Sequence, residues 1–263
     1  MLMEDFATLN FDISPTGSSR LSQVDFENLA FGQVFSDHMF VMDYENGEWQ
    51  RGEISSFGPM TFSPAMMSLH YGQAIFEGMK AYQVNKKGPY LFRPTENYKR
   101  FNLSAKRMAM PLIPKDLFLG SIKVLTDKVC TFIPDKSGDS LYLRPFMIAT
   151  ESHLGIGPSK EFKFIVVASP SASYFKEGNP LSVFIERDYV RAVEGGTGEA
   201  KTGGNYASGL VSAIKAEELG YSQTLWLDAE KRELCEEMSG MNLFIVKNGK
   251  LSHALHISLP IIK

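Results

Sequence analysis

The sequence is poor in the residues that build metal centres and disulfide frameworks. It has only two cysteines, Cys130 and Cys235, and five histidines in 263 residues. The cysteines lie far apart and in no metal-ligand spacing, so they read as reduced thiols of a cytoplasmic protein without a metal site. Also missing is any continuous apolar run near the ~20 residues that cross a bilayer. There is no excess of one charge either. The net charge is −3 and the lysines and arginines are scattered, which argues against nucleic acid or an anionic membrane as partner. The opening "MLMEDFATLNFDISPTGSSR" has early acids and no apolar core. It reads as a mobile arm, neither a secretory signal nor a transit peptide.

What is present is ordinary globular material, 44% hydrophobic and 22% charged, enough for one large domain or two smaller ones. Strand-like runs begin at "HMFVMDY" (38–44) and recur at "YLFRP" (90–94), after the turn-like "NKKGP". "TENYKRFNLSAKRMAM" (95–110) spaces Tyr98, Phe101, Ala105 and Met108 as a helix does, with Thr95 as its cap. "KDLFLGSIKVLTDKVCTFI" (115–133) is a second helix striped by Ile122, Leu125, Val129 and Phe132. "LYLRPFMIA" (141–149), "FKFIVVAS" (162–169), "LSVFIERD" (181–188) and "TLWLD" (224–228) are strands. "YASGLVSAIKAEELG" (206–220) is a helix ended by Gly220, and "NLFIVKNGKL" (242–251) turns at Asn248-Gly249. The pattern is α/β without repeats. The expected division is an arm over 1–34, a small domain over 35–169, a linker over 170–180 and a cofactor domain over 181–263.

One loop asks for chemistry. "GGTGEAKTGGNY" (195–206) nearly matches the phosphate-loop pattern G-x-x-x-x-G-K-[ST], with Ala200 where the second glycine belongs. A phosphate loop leaves a buried strand directly and opens a helix with its Lys-Thr. Here "ERDYVRAVE" precedes it, too charged for such a strand. Gly203 and Gly204 follow, which are poor residues for a first helical turn. From the loop alone, Lys201 reads as a solvated lysine in a turn.

The wider chain resembles a known family. "GGTGEAKTGGNYA" is similar to the cofactor-lysine segment of the branched-chain amino-acid aminotransferases, class IV (fold-type IV) enzymes that use pyridoxal 5′-phosphate. "LHYGQAIFEGMKAY" (69–82), "LFRPTENYKRFNLSAKRM" (91–108), "LYLRPFMIATESHLGIGPS" (141–159) and "EEMSGMNLF" (236–244) resemble four further motifs of that family, in its order. The resemblance implies a two-domain fold-type IV enzyme that exchanges amino groups between L-leucine, L-isoleucine or L-valine and 2-oxoglutarate.

The resemblance also implies roles. Lys201 matches the lysine that holds the cofactor aldehyde as a Schiff base and then moves a proton at the substrate α-carbon. Glu237 matches the acid on the ring nitrogen; its neighbour Glu236 is the rival, since adjacent strand residues face opposite ways. Tyr206 matches the contact to the ring hydroxyl, and Arg100 the arginine on the phosphate. Tyr71, Tyr142 and Arg144 match the polar rim of the substrate pocket, with Phe76 and Tyr174 as its wall. Leu154 and Ile156 match a loop that enters the neighbouring subunit's site, which implies a homodimer.

Agreement stops near Leu251. The family's later Thr-Pro step and leucine-proline-glycine turn have only a faint echo in "SLPII", with Ile261 where glycine belongs. This suggests an incomplete second domain and a cofactor held weakly or not at all. A D-amino-acid transaminase, an aminodeoxychorismate lyase and an inactive remnant are the competing readings.

Overall fold

The computed structural model describes residues 11–85, 87–173 and 180–253. The chain divides into two compact units, Met1–Lys176 and Glu177–Lys263.

The first unit is built on one sheet. Its strands are β1 (Asp12–Ile13), β2 (His38–Glu45), β3 (Glu48–Trp49), β4 (Glu53–Ser56), β5 (Ala74–Phe76), β6 (Met79–Val84), β7 (Lys87–Leu91), β8 (Ser140–Ala149) and β9 (Phe162–Ser171). The order is β1-β4-β2-β9-β8-β6-β7, with β3 on β2 and β5 on β8. Three helices belong to it: α1 (Met67–Tyr71), α2 (Pro94–Arg107) and α3 (Lys115–Lys128).

Strict alternation gives the sheet two different faces. Along β8, Leu141, Leu143, Met147 and Ala149 are buried, while Tyr142, Arg144, Phe146 and Ile148 are only half-buried. The buried set joins Phe40, Phe101, Phe118, Ile122, Leu125 and Phe164 in the main core, into which α2 and α3 press their apolar stripes. The opposite face carries a smaller cluster of Met39, Val41 and Ile165, packed by Phe57, Met60, Phe146 and Val167.

Several elements differ from expectation. Helix α2 starts at Pro94, with Arg93 as N-cap and no side-chain cap bond, so Thr95 lies inside the first turn. Proline suits that position because it lacks only an N–H that would have no helical partner. Residues 87–89, expected as a turn, open β7. Pro89 is tolerated because β7 is the edge of the sheet and needs no donor on its outer side. The second helix ends at Lys128 and a 3-10 turn, Cys130–Phe132, finishes the segment. Within the expected arm, β1 pairs with β4. Asp37 also accepts bonds from the Ser19 hydroxyl and the Arg20 backbone. Residues 170 and 171, expected in the linker, complete β9.

The second unit has β10 (Val183–Ile185), β11 (Gln223–Leu227) and β12 (Cys235–Met238) in one sheet. It also has a β13 (Phe244–Lys247) and β14 (Lys250–His253) hairpin, and helices α4 (Gly203–Ala207) and α5 (Leu210–Glu218). Strand β10 runs parallel to β11, and β12 antiparallel to it. The hairpin turns at Asn248 (φ 52°) and Gly249 (φ 70°), the two positive φ values that an Asn-Gly turn supplies. Strand β10 is shorter than the expected run over 181–188. The helix expected over 206–220 is two helices, broken at Ser208-Gly209.

Candidate functional site

In the second unit the loop before α4 is tied by one side chain. Asn205, buried, donates from Nδ2 to the carbonyls of Thr197 (2.7 Å) and Ala200 (2.8 Å). Its Oδ1 accepts from the Thr197 hydroxyl at 2.7 Å. These bonds close the loop on itself and let a helix begin at Gly203 despite two glycines of low helix propensity. Gly203 and Gly204, expected as poor residues for a first helical turn, do open α4. The nearest upstream strand, β10, ends at Ile185, well before the loop. On the tied loop Lys201 directs Nζ to the Tyr206 hydroxyl at 2.6 Å. The ammonium also stands 5.1 Å from the centroid of that ring.

Both Glu236 and Glu237 are buried, at 5% and 6% exposure, which corrects the expectation that only one faces inward. The reason is a β-bulge. Trp226 pairs with Glu237 and Leu227 with Cys235, so Glu236 is the extra residue and alternation fails there. Their environments differ. Glu237 is ion-paired with Arg191, and both side chains are less than a tenth exposed. Burial pushes the Glu236 carboxyl up, and the charges of Glu237 and Asp228 add to this, against a smaller pull from Arg191. On the neighbouring strand Trp226 donates from Nε1 to the Ser239 hydroxyl at 2.9 Å.

The first unit gathers a second set. Arg144 on β8 donates to the Tyr142 hydroxyl at 2.9 Å and stacks over the Phe76 ring, 4.7 Å from its centroid. Tyr142 in turn packs edge-on against Phe31, with centroids 4.9 Å apart. These side chains share the face of the sheet turned away from the main core. There a cavity of about 420 Å³ is lined by Phe31, Gly32, Phe35, Tyr142, Arg144, Val167 and Ser169. Phe31 and Phe35 escape a reading of the sequence because they sit between elements and carry no periodicity. Only the fold brings them onto β8.

Arg100 lies on α2 and is held by Glu77, which follows β5. The Glu77 side chain is fully buried. Tyr71, on α1, gives its hydroxyl to the Leu154 carbonyl and so pins the loop after β8. Tyr71, Leu154 and Ile156 do not line the Tyr142–Arg144 cavity. They are exposed at 43%, 62% and 94%. Tyr174 lies outside the described residues.

Residues 74–254 match the family model "Amino-transferase class IV". Branched-chain-amino-acid transaminase 1 of Bacillus subtilis (strain 168) is 46% identical over 229 residues, covering 86% of this chain and 64% of its own length. The branched-chain-amino-acid aminotransferase of Mycolicibacterium smegmatis is 46% identical over 222 residues, covering 83% of this chain and 60% of its own. The chain thus spans a little under two thirds of the length of these curated relatives. Among solved structures, the T.th. branched-chain amino acid aminotransferase with pyridoxamine 5′-phosphate superposes with a TM-score of 0.68 at 29% identity. The match covers 84% of this chain and 70% of that one. The Escherichia coli branched-chain amino acid aminotransferase gives 0.65 at 26% identity, over 86% and 70%. No helix among the described residues is long and apolar enough to cross a membrane. With its mixed α/β fold and with more than half of its length matching the family model, this chain belongs to the class IV aminotransferases.

Proposed function

We propose that this chain carries the cofactor-binding and substrate-binding residues of a pyridoxal 5′-phosphate-dependent transaminase. Its substrates are L-leucine, L-isoleucine or L-valine with 2-oxoglutarate. The observation that carries the reading is the Lys201 amine on the Tyr206 hydroxyl at 2.6 Å, in the same unit as a buried carboxylate, Glu237, ion-paired with Arg191. A primary amine, a phenol and a buried carboxylate are the donor set that the cofactor's aldehyde, ring hydroxyl and protonated ring nitrogen require, so the residues fit the group. When bound, the cofactor supplies an electron sink for charge developing at the substrate α-carbon.

The chain's own residues do the rest. Lys201 Nζ takes the proton from the α-carbon and returns it, and Tyr206 orients that amine through its hydroxyl. Glu237 would accept the ring N–H, with Arg191 ion-paired to it. Arg100 would hold the phosphate. Arg144 and Tyr142 receive the distal carboxylate of glutamate and 2-oxoglutarate, while Phe76 and Phe31 give aliphatic side chains an apolar wall. Arg144 and Tyr142 satisfy one another, so the pair keeps its mutual bond when a hydrocarbon binds instead. The exposed Tyr71, Leu154 and Ile156 form the surface for a second copy of the chain, and the working compartment is the cytoplasm.

The test is a titration with pyridoxal 5′-phosphate, followed by a panel of L-leucine, L-isoleucine, L-valine, D-alanine and 4-amino-4-deoxychorismate. The expected result is an absorbance band that needs Lys201, bleached by the three branched L-amino acids. A band that survives in Lys201→Ala, or turnover of D-alanine or 4-amino-4-deoxychorismate alone, overturns the reading.

A further inference from the structure

Glu77 is a buried charge that the proposed chemistry leaves without a task. It follows the last residue of β5, and its own N–H donates to the Pro145 carbonyl on β8 at 2.7 Å, so its backbone is locked into the sheet. The side chain has no exposure at all. An isolated carboxylate there would be strongly unfavourable. Four donors meet it instead. Oε1 accepts from Arg100 Nε at 2.5 Å, and Oε2 accepts from Arg100 Nη2 at 2.9 Å. Oε2 also accepts from Asn97 Nδ2 at 2.8 Å and from the Gly78 N–H at 3.1 Å. Asn97 and Arg100 stand three residues apart on α2, which puts both on the face turned to Glu77.

A bidentate pair fixes a guanidinium in plane and direction, which a single bond cannot do. It also makes the pair neutral, so Glu77 weakens the bare attraction of Arg100 for an anion while fixing its aim. We infer that Glu77 is a positioning residue that aims the Arg100 guanidinium at the cofactor's phosphate ester, with Asn97 clamping Glu77 in turn. The inference rests on Arg100 being the phosphate ligand. Aim outweighs charge here because the arginine loses its remaining rotamer freedom before the ligand arrives, and a phosphate rewards fork geometry.

The experiment compares two ligands that differ only in the phosphate. Affinities of the full chain for pyridoxal 5′-phosphate and for pyridoxal are measured by absorbance titration, for wild type, Glu77→Gln, Arg100→Lys and the double variant. Glu77→Gln is expected to weaken pyridoxal 5′-phosphate about tenfold, the size of one charge-assisted bond, and to leave pyridoxal within about twofold. In the Arg100→Lys background it is expected to change neither. Equal weakening of both ligands, tighter binding of the phosphorylated one, or full additivity with Arg100→Lys overturns the role of Glu77. A wild type that does not prefer the phosphorylated ligand overturns the reading of Arg100 and this inference with it. If Glu77→Gln fails to fold, Asn97→Ala loosens the clamp while keeping the ion pair. It is then expected to shift the same ligand ratio by about threefold, again without touching pyridoxal; an unchanged ratio overturns the inference.

Discussion

Gly78 and Tyr142 occupy a space that admits no side chain at position 78: a Cβ placed there would lie 2.0 Å from the Tyr142 hydroxyl oxygen. The ring is held from other sides by Phe31 and Arg144, so it has little room to retreat. Gly78→Ala is expected to displace Tyr142, break its bond from Arg144 and destabilise the first unit by about 1–3 kcal/mol. Urea unfolding measures this. Wild-type stability in Gly78→Ala would mean that the ring moves freely.

Asn205 bonds three backbone or hydroxyl partners at once in the loop that carries Lys201. Asn205→Ala leaves the buried Ala200 carbonyl and the part-buried Thr197 carbonyl without that donor. A cost of about 2–3 kcal/mol follows, together with loss of the cofactor band, since Lys201 and Tyr206 are no longer held in register. Thermal unfolding and absorbance titration should fall together. A loss of stability alone would separate the loop from cofactor capture.

Two carboxyls of the second unit give opposite responses to pH. Backbone N–H groups of Leu234, Lys231 and Glu233 bond to Asp228, and its pKa is lowered to about 2. Its contribution is therefore present above its unfolded value of about 4 and is lost as pH falls toward the folded one. Glu236 is shifted up by burial and by Glu237, so the fold prefers its neutral form. That contribution is present below the unfolded value and is lost as pH rises through the folded one. Glu236→Gln is accordingly expected to raise the Tm at pH 7 and change it little at pH 4. A variant that melts lower at pH 7 contradicts the assignment of burial as the cause.

Removing the Tyr206 hydroxyl tests its hold on the lysine. Tyr206→Phe keeps the ring under the Lys201 ammonium but deletes the 2.6 Å bond. The expected outcome is a roughly 5- to 20-fold loss in turnover, about 1–1.8 kcal/mol of positioning, with little change in stability. An unaffected rate would assign Tyr206 to packing alone.

The helices and main strands are legible in the sequence because their causes are local. The stripe Ile122, Leu125, Val129 and Phe132 follows helical spacing, and all four residues are buried. The run 141–149 likewise reads as a strand and is β8. Strands β4, β5 and β6 are not legible, since each is short, and β5 and β6 also draw hydrogen bonds from β8, some sixty residues or more along the chain. The bulge at Glu236 is equally hidden, because it depends on how β12 meets β11.

The sequence by itself therefore determined the family and the order of its motifs, because those reside in residue identity and order. Only the tertiary structure decided that Glu77 grips Arg100, that Arg191 singles out Glu237 from its neighbour, and that Phe31 closes on Tyr142. Each of those depends on burial and on contacts between residues distant in the chain. Local propensity does not encode them.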